Sequence, residues 1–107
     1  MSTVHYIPVV RLEEIPEGQT LAFQIEGREL LVCHYLQQVY VIENRCPHQN
    51  KELTNAKLKN GRIICPFHGY AFYLQNGENA LHGVNCRLTV FPSRCQDGVI
   101  EIFLESA

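Results

Sequence analysis

Short runs of branched and aromatic residues, separated by turn residues, recur along the whole chain. In the first half they are VHYIPVV (4–10), TLAFQIE (20–26), ELLVCHYL (29–36) and QVYVIEN (38–44). The second half repeats the texture with RIIC (62–65), YAFYL (70–74), RLTVF (87–91) and VIEIFL (99–104). Such segments predict strands. Glu26-Gly27 and Gln37-Gln38 are expected to turn between neighbouring strands, and Asn60-Gly61, Asn76-Gly77 and Asp97-Gly98 are strong hairpin or turn signals. The one helical candidate, NKELTNAKL near 50–58, is short and weakly patterned. The expected fold class is all-β, an antiparallel sandwich or partly open barrel.

A chain of 107 residues suits a single domain spanning 1–107, and 46% hydrophobic content can build a core. A formal charge of −2 and a pI near 6.2 leave no electrostatic footprint for nucleic acid. Apolar runs such as LLV (30–32) are far too short to cross a bilayer. The N-terminal MSTVHYIPVV lacks the basic start and long apolar stretch of a secretory signal, so a cytoplasmic location is expected. Five cysteines, an odd number, then argue for metal or redox chemistry over a disulfide framework.

Four of the candidate ligands fall into two pairs, Cys46-x-His48 and Cys65-x-x-His68, with sixteen residues between the pairs. Each pair lies where a predicted strand gives way to a loop. Thiolate and imidazole together suit zinc, copper or iron–sulfur chemistry, not magnesium or calcium. Pro66 stiffens the second loop, and Gly69 allows close backbone approach beside the ligand. A structural zinc ion is the main rival, although its usual signature groups cysteines with cysteines and histidines with histidines. The remaining cysteines read differently. Cys33 alternates with Leu31 as a small core residue, while Cys86 and Cys95 flank a predicted strand and form a candidate redox-labile pair. His5, His34 and His82 read as solvated or packed, with His82 a candidate to approach the ligand loops. The stripe AFYL (71–74) reads as core.

CPHQNKEL (46–53) and CPFHGYAFYLQNG (65–77) resemble the two cluster-binding boxes of the Rieske iron–sulfur family, and LTVFPSRCQDGVIEI (88–102) is similar to the closing strands of its small ferredoxins. The resemblance implies one [2Fe–2S] cluster, with Cys46 and Cys65 on one iron and His48 and His68 on the other. Two neutral imidazoles in place of two thiolates remove negative charge, so an added electron meets less repulsion. Potentials of such sites run from roughly −150 to +300 mV, against about −400 mV for plant-type ferredoxins. High-potential relatives carry a disulfide between the boxes and hydroxyl donors just after the second histidine. Here Lys51 and Phe67 replace the two cysteines, and Tyr70 and Phe72 stand at the donor positions, so a potential low in the range is expected. Val84, where relatives have a shielding proline, and Tyr73, where many have an acid, depart from the pattern.

The resemblance further implies a base of strands from residues 1–42 and 87–107 carrying a cluster-binding subdomain of about 43–86. It implies a one-electron carrier with no catalytic residues of its own, serving as the ferredoxin component of a ring-hydroxylating oxygenase system between a flavin-dependent reductase and a terminal oxygenase. Alternatives are the small subunit of an assimilatory nitrite reductase and, in another class, a redox-sensing or structural metal module. Pro47, Gln49, Phe67 and Tyr70 flank the ligands and are candidates for partner docking.

Overall fold

Four consecutive residues, Leu30, Leu31, Val32 and Cys33, are all fully buried. A strand with one wet face cannot do this, because successive side chains point to opposite sides. The computed structural model, which describes residues 3–47, 52–54, 56–66, 70–80 and 86–106, shows how both sides are covered. Leu30 and Val32 join Val41, Ile100, Ile102 and Leu104 in one core. Leu31 and Cys33 join Ile42, Leu53, Ile63, Phe72, Leu74 and Leu88 in a second. Full burial of each large apolar side chain contributes about 1.5–3 kcal/mol, so this strand anchors both layers.

The described residues form ten strands in three antiparallel sheets. The first sheet has the order β1 (Thr3–Arg11), β10 (Val99–Ser106), β9 (Ser93–Gln96). The second, central sheet has the order β2 (Thr20–Ile25), β3 (Arg28–Tyr35), β4 (Gln38–Glu43), β8 (Val90–Phe91). A small third sheet is β5 (Lys57–Lys59), β6 (Arg62–Ile64), β7 (Ala71–Tyr73). The central sheet therefore packs the first on one face and the third on the other. Among the described residues the only helical element is a 3-10 turn at Leu12–Glu14, as an all-β reading expects.

Four hairpins turn on two consecutive residues of positive φ: Glu26-Gly27, Leu36-Gln37, Asn60-Gly61 and Asp97-Gly98. This is the type I′ geometry that matches the twist of antiparallel strands. The second turn falls one residue earlier than its sequence expectation at Gln37-Gln38, and it contains no glycine. Left-handed backbone costs about 1–2 kcal/mol for each such residue. Glu17 compensates: its carboxylate accepts from the N–H of Leu36 at 2.6 Å and of Gln37 at 2.9 Å.

Three other features differ from the sequence reading or were not part of it. The strand expected over 87–91 is reduced to Val90–Phe91, because Leu88 donates its N–H to Gly77 (2.8 Å) instead of to a ladder. β5 and β9 carry little apolar pattern and are formed by pairing with neighbours. The helical candidate at 50–58 yields one turn, with Ala56 N–H on the Leu53 carbonyl, and then enters β5; residues 50, 51 and 55 lie outside the described residues.

Candidate metal centre

β4 leaves the central sheet at Asn44, and Cys46 follows two residues later. Asn44 is only 4% exposed, so each of its polar atoms needs a partner. Its own N–H donates to the Glu29 carbonyl at 2.9 Å. Its side-chain Oδ1 accepts the Leu53 N–H at 2.7 Å, and its Nδ2 donates to Thr54 Oγ1 at 2.9 Å. One buried amide thus closes the neck of the segment between residues 44 and 53, which contains Cys46 and His48. Thr54 is tied in turn to the central sheet, its carbonyl accepting from Thr20 Oγ1 at 3.4 Å.

The second pair is closed in a similar way. Ile64 and Ala71 pair as the last rung of β6 and β7, and Cys65 N–H donates to the Tyr70 carbonyl at 2.7 Å. Residues 66–69 form the segment beyond that bond, with His68 inside it. His48, Gln49, Lys51, Phe67, His68, Gly69, His82 and Val84 lie outside the described residues.

Cys46 and Cys65 are both buried, and both belong to the core that includes Leu31, Ile42, Leu53, Ile63, Phe72, Leu74 and Leu88. Two distant stretches of sequence therefore bring two sulfurs into one apolar environment, each beside a hydrogen-bonded loop neck. Soft donors in a dry setting fit an iron–sulfur core and do not fit a hard cation. Among the described residues no three His, Cys, Asp or Glu converge on one point. Phe72 is fully buried and brings no hydroxyl, while Tyr70 is half-buried against the same core.

A protein-family model described as the Rieske [2Fe-2S] domain matches residues 5–92. The chain belongs to this family. It carries a Rieske-type [2Fe–2S] cluster and works as an electron carrier, not as a catalyst. The ferredoxin component of the naphthalene 1,2-dioxygenase system of Pseudomonas putida is 27% identical over 95 residues, covering 89% of this chain and 91% of that one. Its counterpart from Pseudomonas aeruginosa is 29% identical over 94 residues, with 88% and 90% covered. Among solved structures, the ferredoxin of Sphingomonas yanoikuyae B1 superposes with a TM-score of 0.83 at 25% identity, covering 94% of this chain and 99% of that one. A chain from the complex of reduced oxygenase and oxidised ferredoxin in carbazole 1,9a-dioxygenase gives 0.81 at 26% identity, covering 90% and 99%.

The other candidates from the sequence resolve separately. Cys33 is a core residue whose thiol burial pushes up to about 12. Cys86 is half-buried, its sulfur accepting from Asn79 Nδ2 at 3.3 Å, whereas Cys95 is exposed on the edge strand β9; no disulfide joins them. His34 is packed, with Nδ1 2.7 Å from the Ile15 carbonyl. Pro47 is exposed beside Cys46. Sequence reasoning missed Asn44 as the neck of the first loop. The available signal was a polar residue ending an apolar strand two positions before a candidate ligand.

Proposed function

We propose that Cys46 and Cys65 hold one iron of the cluster and His48 and His68 the other, and that the protein passes single electrons from a flavin-dependent reductase to a terminal oxygenase in the cytoplasm. The observation that carries the reading is the pair of buried cysteines sharing one core at the mouths of two loops, each loop containing one of the histidines by sequence. Near-complete coverage of ferredoxin components of dioxygenase systems supports the assignment to that kind of electron chain. A cluster-bearing unit of about 43–86 on a base of 1–42 and 87–107 is the matching division of the chain.

When bound, the cluster supplies a reversible one-electron couple of low total charge. The chain itself supplies position and dryness. Both thiols must lose their protons to ligate, so loading releases protons. Asn44 and the Cys65–Tyr70 hydrogen bond fix the two loop necks, and Leu53, Ile63, Phe72 and Leu74 exclude water from the sulfur side. Buried beside these necks, Cys46 and Cys65 have little room to rearrange between oxidation states.

Anaerobically purified protein should bleach on addition of dithionite and give a rhombic EPR signal. Cys46→Ser should lose the iron and acid-labile sulfide, and His48→Ala and His68→Ala should lose the rhombic signal. A colourless protein holding zinc, or a Cys46→Ser variant with full iron and sulfide, would overturn the assignment. Reduction by a flavin reductase, followed by oxidation on adding a terminal oxygenase, tests the two partners.

A further inference from the structure

Formal charge is unevenly divided along the chain. Residues 43–86 contain five Lys or Arg and three Asp or Glu, whereas the remainder contains four and eight. Part of the excess lies on one surface. In the small sheet, Leu58, Ile63 and Phe72 face the core. The alternate positions face outward in two cross-strand rows, Lys57–Ile64–Ala71 and Lys59–Arg62–Tyr73.

Lysines on the edge strand β5 would by themselves be an ordinary guard against edge-to-edge pairing. Arg62 does not fit that account. It lies on the middle strand of the sheet, directly opposite Lys59, where like charges destabilise the pair. None of Lys57, Lys59 and Arg62 has an ion-pair partner among the described residues. The acid of this neighbourhood, Glu78, lies across β7 from Tyr73, at the far end of the row. Tyr73 is 42% exposed, a large amphipathic side chain left at the surface beside the cations. The row Lys57–Ile64–Ala71 adjoins the hydrogen-bonded neck that holds Cys65, and Arg62 is about 10 Å along the strand from it.

We propose that the outward face of β5–β6–β7, with Lys57, Lys59, Arg62 and Tyr73, is a docking surface for a carboxylate-rich patch on a redox partner protein. The inference rests on the electron-carrier reading. A partner seated there lies beside the second ligand loop, and the negative base would orient the positive end toward it on approach. An uncompensated like-charge pair across a hairpin is relieved when an acidic surface arrives.

Fluorescein-labelled hexaglutamate serves as a stand-in for that patch, its binding to the cluster-loaded protein read by anisotropy against salt. Binding should weaken steeply as salt rises. Arg62→Glu and Lys59→Glu should each weaken it about tenfold, while Arg28→Glu, in the acidic base, should leave it unchanged. Because Arg62→Glu removes the like-charge opposition, that variant should also melt at or above the wild-type temperature with its visible spectrum intact. Equal losses in all three variants, no change in Arg62→Glu, or equally tight binding to phosphatidylglycerol vesicles would overturn the proposal. Failure of the carrier reading would look different, as a protein that dithionite does not bleach while hexaglutamate still binds.

Discussion

Gly77 lies against the backbone of Leu88 so closely that a β-carbon on it would collide with the Leu88 carbonyl oxygen. The contact is held from the other direction as well, since Leu88 donates its N–H to the Gly77 carbonyl at 2.8 Å. This is where the turn after β7 meets the segment that leads into β8, so it joins the small sheet to the central one.

Gly77→Ala should accordingly be among the most destabilising single changes in the chain. Its φ of +79° alone costs an L-residue about 1–2 kcal/mol, and backbone displacement adds to this. Gly61→Ala is the control, with φ at +75° and nothing within 4 Å of the added carbon. Thermal unfolding followed by circular dichroism should show a drop of several degrees for Gly61→Ala and a much larger one for Gly77→Ala. Equal drops would mean that the Leu88 contact adds nothing.

Asn44 gives a second test. Asn44→Ala leaves the Leu53 N–H buried without an acceptor, at a cost of about 1–3 kcal/mol. The loss falls on the neck of the loop that bears Cys46 and His48, so iron should pass to a chelator faster than in wild type. Asn44→Asp keeps the acceptor for Leu53 and should lie between the two. Chelator kinetics identical in all three proteins would remove Asn44 from the site.

The Leu36-Gln37 turn makes a prediction about pH. N–H groups of Gln37 and Leu36 hold the Glu17 carboxyl below its ordinary range, against a smaller opposing effect of burial. A group depressed in the folded state stabilises above its unfolded value, and that contribution disappears as pH falls through the folded value. The gap in melting temperature between wild type and Glu17→Gln should therefore be largest at neutral pH and close below about pH 4. A gap that widens on acidification would reverse the sign and exclude the mechanism.

Cysteine reactivity should separate the described thiols outside the centre. Cys95, exposed on β9, should be alkylated first by iodoacetamide, and Cys33 only on unfolding. Because burial raises the Cys33 thiol to about 12, its contribution to stability is present below about 9 and is lost as pH rises from there toward 12. Mass spectrometry of native, pulse-labelled protein reads the order directly; early labelling of Cys33 would mean that the core around Leu31 opens readily.

Much of this architecture is written locally. Runs of Val, Ile, Leu and Tyr announce β3, β4, β6 and β10, and Cys46, His48, Cys65 and His68 announce soft-metal chemistry through residue type and spacing. What could not be read is set by distant partners. Lys57–Lys59 and Ser93–Gln96 become strands because neighbours offer a ladder, not because their side chains prefer one. The Leu36-Gln37 turn lacks any glycine signal because Glu17, about twenty residues earlier, stabilises it. Asn44 looks like an ordinary strand end until Leu53 and Thr54 are seen to close on it.

Of the three hydrogen bonds described at the two loop necks, none uses an imidazole or a thiol side chain. Asn44 joins amide to backbone and hydroxyl, and Cys65 contributes only its peptide N–H. The two necks are therefore closed by the polypeptide itself. A small zinc finger, by contrast, acquires its fold only on metal uptake. Here the three sheets and the two necks should already be in place when a cluster donor arrives.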